Sequence, residues 1–321
     1  MIADVLQRRL VFVTGKGGVG KTAVTLALAL AAARERRRVL VVEINPYGRV
    51  GEYLGGVTLG PEPVEVAPDV SAACIVPEIV LEDFAIRMLR IRALARRLVA
   101  SQTFRIVAAA APGIEDFLTL DRIASWEAAR IGLRQRRHRF DLIVVDAPAT
   151  GHSVPLLSTP GTLLKLLPFG PLAGTARDLT LLLSDPSKTA IAMVTRAEEM
   201  AVNETLELAT VLMRLGIPLL PPIVNAVSPL RFTRAEMRRL LAEPPDLPPS
   251  LRAHAAVGRF GAARQRTAER EIRRLGHALA MPSLRLPVVP ARAFGMAALE
   301  QLADELANAR PGGRRRAGGM A

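Results

Sequence analysis

Apolar residues fall in short runs along the chain, and helix-forming stretches separate them. "RLVFVT" (9–14) is a Val-rich run that predicts a buried strand. "KTAVTLALALAAARERR" (21–37) is built from strong helix formers and ends in charge, so it predicts a helix. "RVLVVEIN" (38–45) predicts a second strand. Strand, helix and strand in so short a span form a βαβ unit with parallel strands. The runs at 139–148, 189–196 and 219–229 predict three more strands, and "SLRLPVVP" (283–290) predicts a sixth. Helical stretches such as 197–216 lie between them. This alternation predicts the α/β class, with a doubly wound, mostly parallel sheet. Residues 77–137 and 229–280 break the alternation and read as helices, the second around the Pro-rich "EPPDLPPS" (243–250). They are expected to form an inserted helical subdomain in a single domain over 1–308. The tail 309–321, Gly-rich and basic, is expected to be disordered.

Composition narrows the chemistry. Half of the residues are hydrophobic and only 4% are aromatic, so the core should consist of Ala, Leu and Val. The single cysteine, Cys74, excludes an intrachain disulfide and any zinc site needing two Cys of one chain. It is expected to be a small core residue. The net charge of +13 suggests attraction to nucleic acid, acidic membranes or acidic proteins, or simply arginines spread over solvated faces. No secretory signal is visible and the longest apolar run, near 24–33, is too short to span a bilayer, which predicts a cytoplasmic chain.

"GKGGVGKT" (15–22) lies between the first predicted strand and helix. Gly15, Gly20, Lys21 and Thr22 match the phosphate-loop pattern in the context it requires. Its glycines let backbone N–H groups wrap phosphates at a helix start. The candidate nucleotide contacts are Gly15, Gly17, Gly18, Val19, Gly20, Lys21, Thr22 and Ala23, with ATP and Mg²⁺ as the expected ligands. Lys21 should meet the β- and γ-phosphates, and the Thr22 hydroxyl should ligate the metal. Asp146, ending a predicted strand, suits the same metal shell.

Only four residues of the chain are lysines, and two of them, Lys16 and Lys21, sit in this loop. The extra Lys16 makes "GKGGVGKT" resemble the deviant Walker A loop of the partition and division ATPases, the nitrogenase iron protein and the anion-transporting ATPases. "DAPATGHSVPLLSTP" (146–160) resembles the switch II segment of the anion-transporting ATPases. That family includes the arsenical pump ATPase and the ATPase that targets tail-anchored membrane proteins. "PGIEDF" (112–117), "IVNAVSP" (223–229) and "LPVVPARAFGMAAL" (286–299) are similar to further segments of it. The resemblance implies a dimer, of identical or related subunits, closed face to face around two nucleotides. Lys16 would then act on the partner's nucleotide. Gly151 and His152 would belong to a switch II that senses the γ-phosphate. Asn225 would contact the base, with Pro287 covering it.

The sequence also departs from the family. Switch I of the family carries an Asp that orients the attacking water, and Asn45 stands in its place. An amide cannot accept a proton as a carboxylate does, so slow hydrolysis is expected. Glu43, two residues earlier on the same side of the strand, could assist. One cysteine cannot build a thiolate site for arsenite, and the family's zinc clamp is missing. The helical regions could instead form an apolar groove for a membrane-protein client. The stretch 156–174, apolar and broken by Pro and Gly, reads as a loop over such a groove or as ordinary packing. Two alternatives stand beside this reading. One is a partition-type ATPase holding DNA through its arginines, disfavoured by switch II and the helical insertions. The other is an assembly module that barely hydrolyses ATP.

Overall fold

Leu10–Gly15 (β1) is buried at every position, as befits a strand covered on both faces. The other strands are Val39–Ile44 (β2), Val64–Ala67 (β3), Val70–Ile75 (β4), Arg130–Ile131 (β5), Arg137–His138 (β6), Leu142–Ala149 (β7), Thr189–Arg196 (β8), Ile223–Val227 (β9) and Leu284–Pro287 (β10). The computed structural model describes residues 2–44, 49–76, 80–82, 84, 86, 97, 101, 113–132, 137–229, 231–242, 248–290 and 294–308. Eight strands form one sheet in the order β10-β9-β8-β1-β7-β2-β4-β3. All its pairs are parallel except β3 with β4. From β1 the chain crosses to β2 on one side, and from β7 it crosses back to β8 on the other. A reversal of this kind leaves a crevice at the C-terminal ends of the central strands.

Helices cover both faces. They include Ile2–Leu6 (α1), Lys21–Arg34 (α2), Arg49–Tyr53 (α3), Ile114–Ala128 (α4), Thr150–Leu166 (α5), Pro171–Ser184 (α6), Glu199–Arg214 (α7), Arg234–Leu241 (α8), Pro249–Ala278 (α9) and Met296–Asn308 (α10). On one face, Val11, Val13, Val41 and Val144 pack with Val24 and Leu28 of α2 and with Leu299, Leu302 and Leu306 of α10. On the other, Phe12, Val42 and Val145 meet Phe117 and Ile123 of α4 together with residues of α5, α6 and α7. Ile272 and Leu275 tie α9 to Val202 and Val224. Cys74 is buried in β4 and bonds no other cysteine. Among the described residues no helix is long and apolar enough to cross a membrane.

The structure confirms the α/β class and corrects parts of the sequence reading. Strands β3 and β4 were not expected. Strand β3 has four partly exposed residues, and β4 (VSAACI) carries two alanines and a serine in place of the Val-rich run of β1 and β2, with Asp69 at φ 60° turning between them. The helical reading of 77–137 is wrong at its end. There β5 and β6 pair as a small antiparallel ribbon, because α4 stops at Ala128 and Gly132 takes φ 89°. Most of 77–112, the break 243–247 and the tail 309–321 lie outside the described residues. The stretch 156–174 is not a loop. It continues α5 through Pro155 and Pro160, then turns at 167–170 into α6. Hydroxyls bond back within this helix: Ser158 and Thr159 both donate to the Pro155 carbonyl, and Thr162 donates to that of Ser158, an arrangement that bends helices.

Candidate active site

The phosphate loop leaves β1 at a point with no room for a side chain. A Cβ on Gly15 would lie 2.0 Å from the Val194 carbonyl oxygen of the neighbouring strand. The loop ends at Gly20, which has φ 92° and caps α2 in the left-handed region. A Cβ there would come within 2.3 Å of Asn225 Nδ2. Both positions therefore need glycine for packing as well as for flexibility. Helix α2 begins at Lys21, so its first free N–H groups point to the crevice. Val19 and Ala23 are buried beneath the loop, while Gly17 and Gly18 line the open side.

The crevice is a cleft of about 750 Å³ lined by Gly17, Gly18, Lys21, Thr22, Glu43, Arg49 and Asp146 among others. This is ample for a nucleotide. The Thr22 hydroxyl donates to Asp146 Oδ2 at 2.6 Å, and Thr25 donates to Oδ1 at 3.4 Å. Burial raises the Asp146 pKa, against the pull of the Thr22 hydrogen bond and of Lys21. Burial also lowers the Lys21 pKa, which Asp146 opposes and Arg49 reinforces. The Lys21 ammonium donates to the Lys16 carbonyl at 3.3 Å, within the loop.

Strand register explains why two carboxylates share one wall. Glu43 of β2 is the parallel partner of Asp146 in β7. Two residues earlier on each strand, Val41 and Val144 face the α2 side of the core. The same face thus turns from apolar to acidic where the strands end. Glu43 is 4% exposed. Its Oε1 accepts from the Arg49 backbone N–H at 2.9 Å, and its Oε2 has no partner among the described residues. Burial raises its pKa. The opposite wall comes from Gly113, Ile114, Glu115 and Asp116 at the start of α4, and from His152 in the first turn of α5. Burial and then Glu115 raise the Asp116 pKa, while His152 pulls it down.

Other sequence candidates lie apart from this cleft. The Lys16 ammonium turns away to Glu204 Oε1 of α7 at 2.5 Å. Asn225 is buried in the middle of β9 and donates from Nδ2 to the Val19 carbonyl at 2.9 Å. Pro287 ends β10 opposite Val227. Gly151 is exposed at the head of α5. Asn45 lies outside the described residues. Sequence reasoning missed Arg49, Thr25, Asp116 and Thr119. For Arg49 the only available signal was a base inside the switch I stretch, 45–54. No group of three metal-binding His, Cys, Asp or Glu side chains occurs among the described residues. A divalent ion here would therefore rest on the hard oxygens of Thr22 and Asp146, completed by phosphate and water. Mg²⁺ accepts such a shell.

Residues 8–174 match the family model described as anion-transporting ATPase. The chain is 27% identical to the ATPase BagA of Mycobacterium tuberculosis over 318 residues, covering 93% of this chain and 92% of that protein. It is also 27% identical over 245 residues to an arsenical pump-driving ATPase of Acidiphilium multivorum and 26% identical to one of Escherichia coli. Each of these two matches covers 68% of this chain but only 39% of the pump protein. The family match spans more than half of the chain and includes the phosphate loop, both acidic strand ends and the first turn of α5. The protein belongs to the anion-transporting ATPase family, binds nucleotide and hydrolyses ATP.

Proposed function

We propose that the chain is a Mg·ATP-driven dimeric switch that couples the state of its cleft to a protein or membrane-protein client. The observation that carries this reading is the Thr22–Asp146 hydrogen bond beside Lys21 in a cleft of nucleotide size. Thr22 and Asp146 would hold the metal, Lys21 the β- and γ-phosphates, and the glycine loop the phosphate oxygens. The metal would draw charge from the phosphates as they separate. Asn225 and Pro287 would flank the base. Lys16 would swing off Glu204 to reach the partner subunit's nucleotide. His152 and Gly151, at the head of α5, would sense the γ-phosphate. The exposed Leu166, Leu167 and Phe169 at the α5–α6 turn support a client face at the far end of that helix. Arsenite is a poor candidate cargo for a chain with one buried thiol.

Titration with a fluorescent ATP analogue, with and without Mg²⁺, tests the site. Lys21→Ala should weaken binding at least about tenfold, as loss of a charge-assisted contact does, and Asp146→Asn should abolish the metal dependence. Unchanged affinity in both variants would sink the assignment. Sedimentation with a non-hydrolysable ATP analogue tests the dimer. Asn45→Asp should raise the single-turnover rate, and no change would remove position 45 from the mechanism. Capture by an ATP-trapped form tests the client. Recovery of only ribosomes or DNA would defeat the targeting idea.

A second reading, binding of a nucleic acid backbone, rests on one feature. Arg266, Arg270 and Arg273 line a small cleft on α9, and among the described residues only Arg270 of the three is paired there, with the buried Glu271. ATP-dependent DNA binding that weakens steeply with salt would support it.

A further inference from the structure

We infer that Glu43 is the catalytic carboxylate of this site, orienting the attacking water and accepting its proton. The inference rests on the reading of the cleft as the ATP site. Four observations converge on it. Glu43, the last residue but one of β2, lies directly beside Asp146, on the face that carries the phosphate-loop helix. It lines the same cleft as Lys21 and Thr22. One oxygen is fixed by the Arg49 N–H, which sets the direction of the other. That other oxygen, Oε2, is buried without a partner among the described residues. A buried carboxylate oxygen left unbonded is costly, and such groups persist where a ligand or a reaction uses them.

The two neighbouring carboxylates would then divide the work. Asp146 is engaged by two threonine hydroxyls and is committed to the metal side. Glu43 is approached by the backbone N–H groups of Arg49 and Val50, but its Oε2 has no hydrogen-bond partner and no hydroxyl donor among the described residues, so it can receive a hydrogen bond from water. In the step itself the water oxygen bonds to the γ-phosphorus while the bond from that phosphorus to the β,γ-bridging oxygen breaks. The water proton passes to Glu43 Oε2, ADP leaves with the bonding pair, and the proton is later returned to inorganic phosphate or solvent. This supplies the proton acceptor that the amide of Asn45 cannot provide.

The test is Glu43→Gln in the full chain, a change that keeps shape and removes the acceptor charge. The single-turnover rate should fall about 100-fold, the lower end for loss of a general base. Affinity for ATP and ADP should stay within about threefold of the parent, because the ground state does not use this oxygen. Affinity for ADP with aluminium fluoride, a mimic of the transferring phosphoryl group, should fall in step with the rate. A single-turnover rate within about threefold of the parent would overturn the assignment. So would a parallel loss of ADP affinity, which would make Glu43 a wall of the binding cleft. Failure of the underlying reading looks different: the parent chain itself would then bind ATP no better than Lys21→Ala.

Discussion

Replacing Asn225 separates two roles that its amide could play. Seen in sequence, it resembles a base-contacting residue; in the structure its Nδ2 supports the phosphate loop through the Val19 carbonyl at 2.9 Å. The amide is 9% exposed, and the glycine above it leaves no slack, since a Cβ on Gly20 would sit 2.3 Å from Nδ2. Asn225→Ala removes the donor and leaves a buried carbonyl short of one partner, which costs about 2 kcal/mol. For a chain of 321 residues that corresponds to a fall in melting temperature of about 3 °C. Asn225→Asp keeps the volume but turns an acceptor toward the Val19 carbonyl, so it should lose at least as much. The assay is thermal unfolding without nucleotide, where no base is present to be contacted. Nucleotide-free melting unchanged in both variants, with weaker ATP binding, would refute the buttress and leave the base contact alone.

Three further outcomes are expected. Glu204→Ala should free Lys16 and favour the ATP-dependent dimer by at most about fivefold, because a pair one-third exposed on each side is worth no more than about 1 kcal/mol. Sedimentation checks this, and a weaker dimer would contradict it. Lys16→Ala should leave nucleotide affinity intact but lose hydrolysis and nucleotide-dependent closure, read by binding and turnover side by side. Asp141→Asn should cost about 1.5 kcal/mol at neutral pH, because Asp141 accepts the backbone N–H, Nε and a terminal nitrogen of Arg38. Arg38 holds the Asp141 pKa below its ordinary 3.8. A depressed carboxylate adds stability above its unfolded value that is lost as pH falls through the folded value. The gap in melting temperature between parent and variant should therefore close below about pH 4, and a gap that persisted in stronger acid would contradict the linkage.

The parts of this site legible in sequence are those whose chemistry is local. Gly20, Lys21 and Thr22 are read from eight neighbouring residues because a phosphate loop demands that spacing. Asp146 is read from the end of an apolar run. The same signal marks Glu43, a lone acid closing "VLVV", but only strand register brings the two side by side. Contacts that join distant parts of the chain left no trace. Lys16 meets Glu204 over 188 positions of sequence and Val19 meets Asn225 over 206, and neither pairing has a period or motif. Strand β3 escaped because it is four residues long and half exposed, and β4 because two alanines and a serine dilute its β-branched residues. Helix α5 escaped because two prolines ordinarily end a helix, whereas here packing on the sheet overrides propensity.

Those prolines also give α5 the mechanics of a jointed lever. Pro155 and Pro160 have no N–H to offer the carbonyls of Gly151 and Leu156, so the first turn is only loosely tied to the rest of the helix. Seventeen residues of helix span about 25 Å. A tilt of about ten degrees at the base, beside His152, would displace the far tip by about 4 Å. That tip leads into Leu166, Leu167 and Phe169, which already face solvent. A small tilt at the cleft end of α5 would thus become a movement as large as a side chain at these exposed apolar residues.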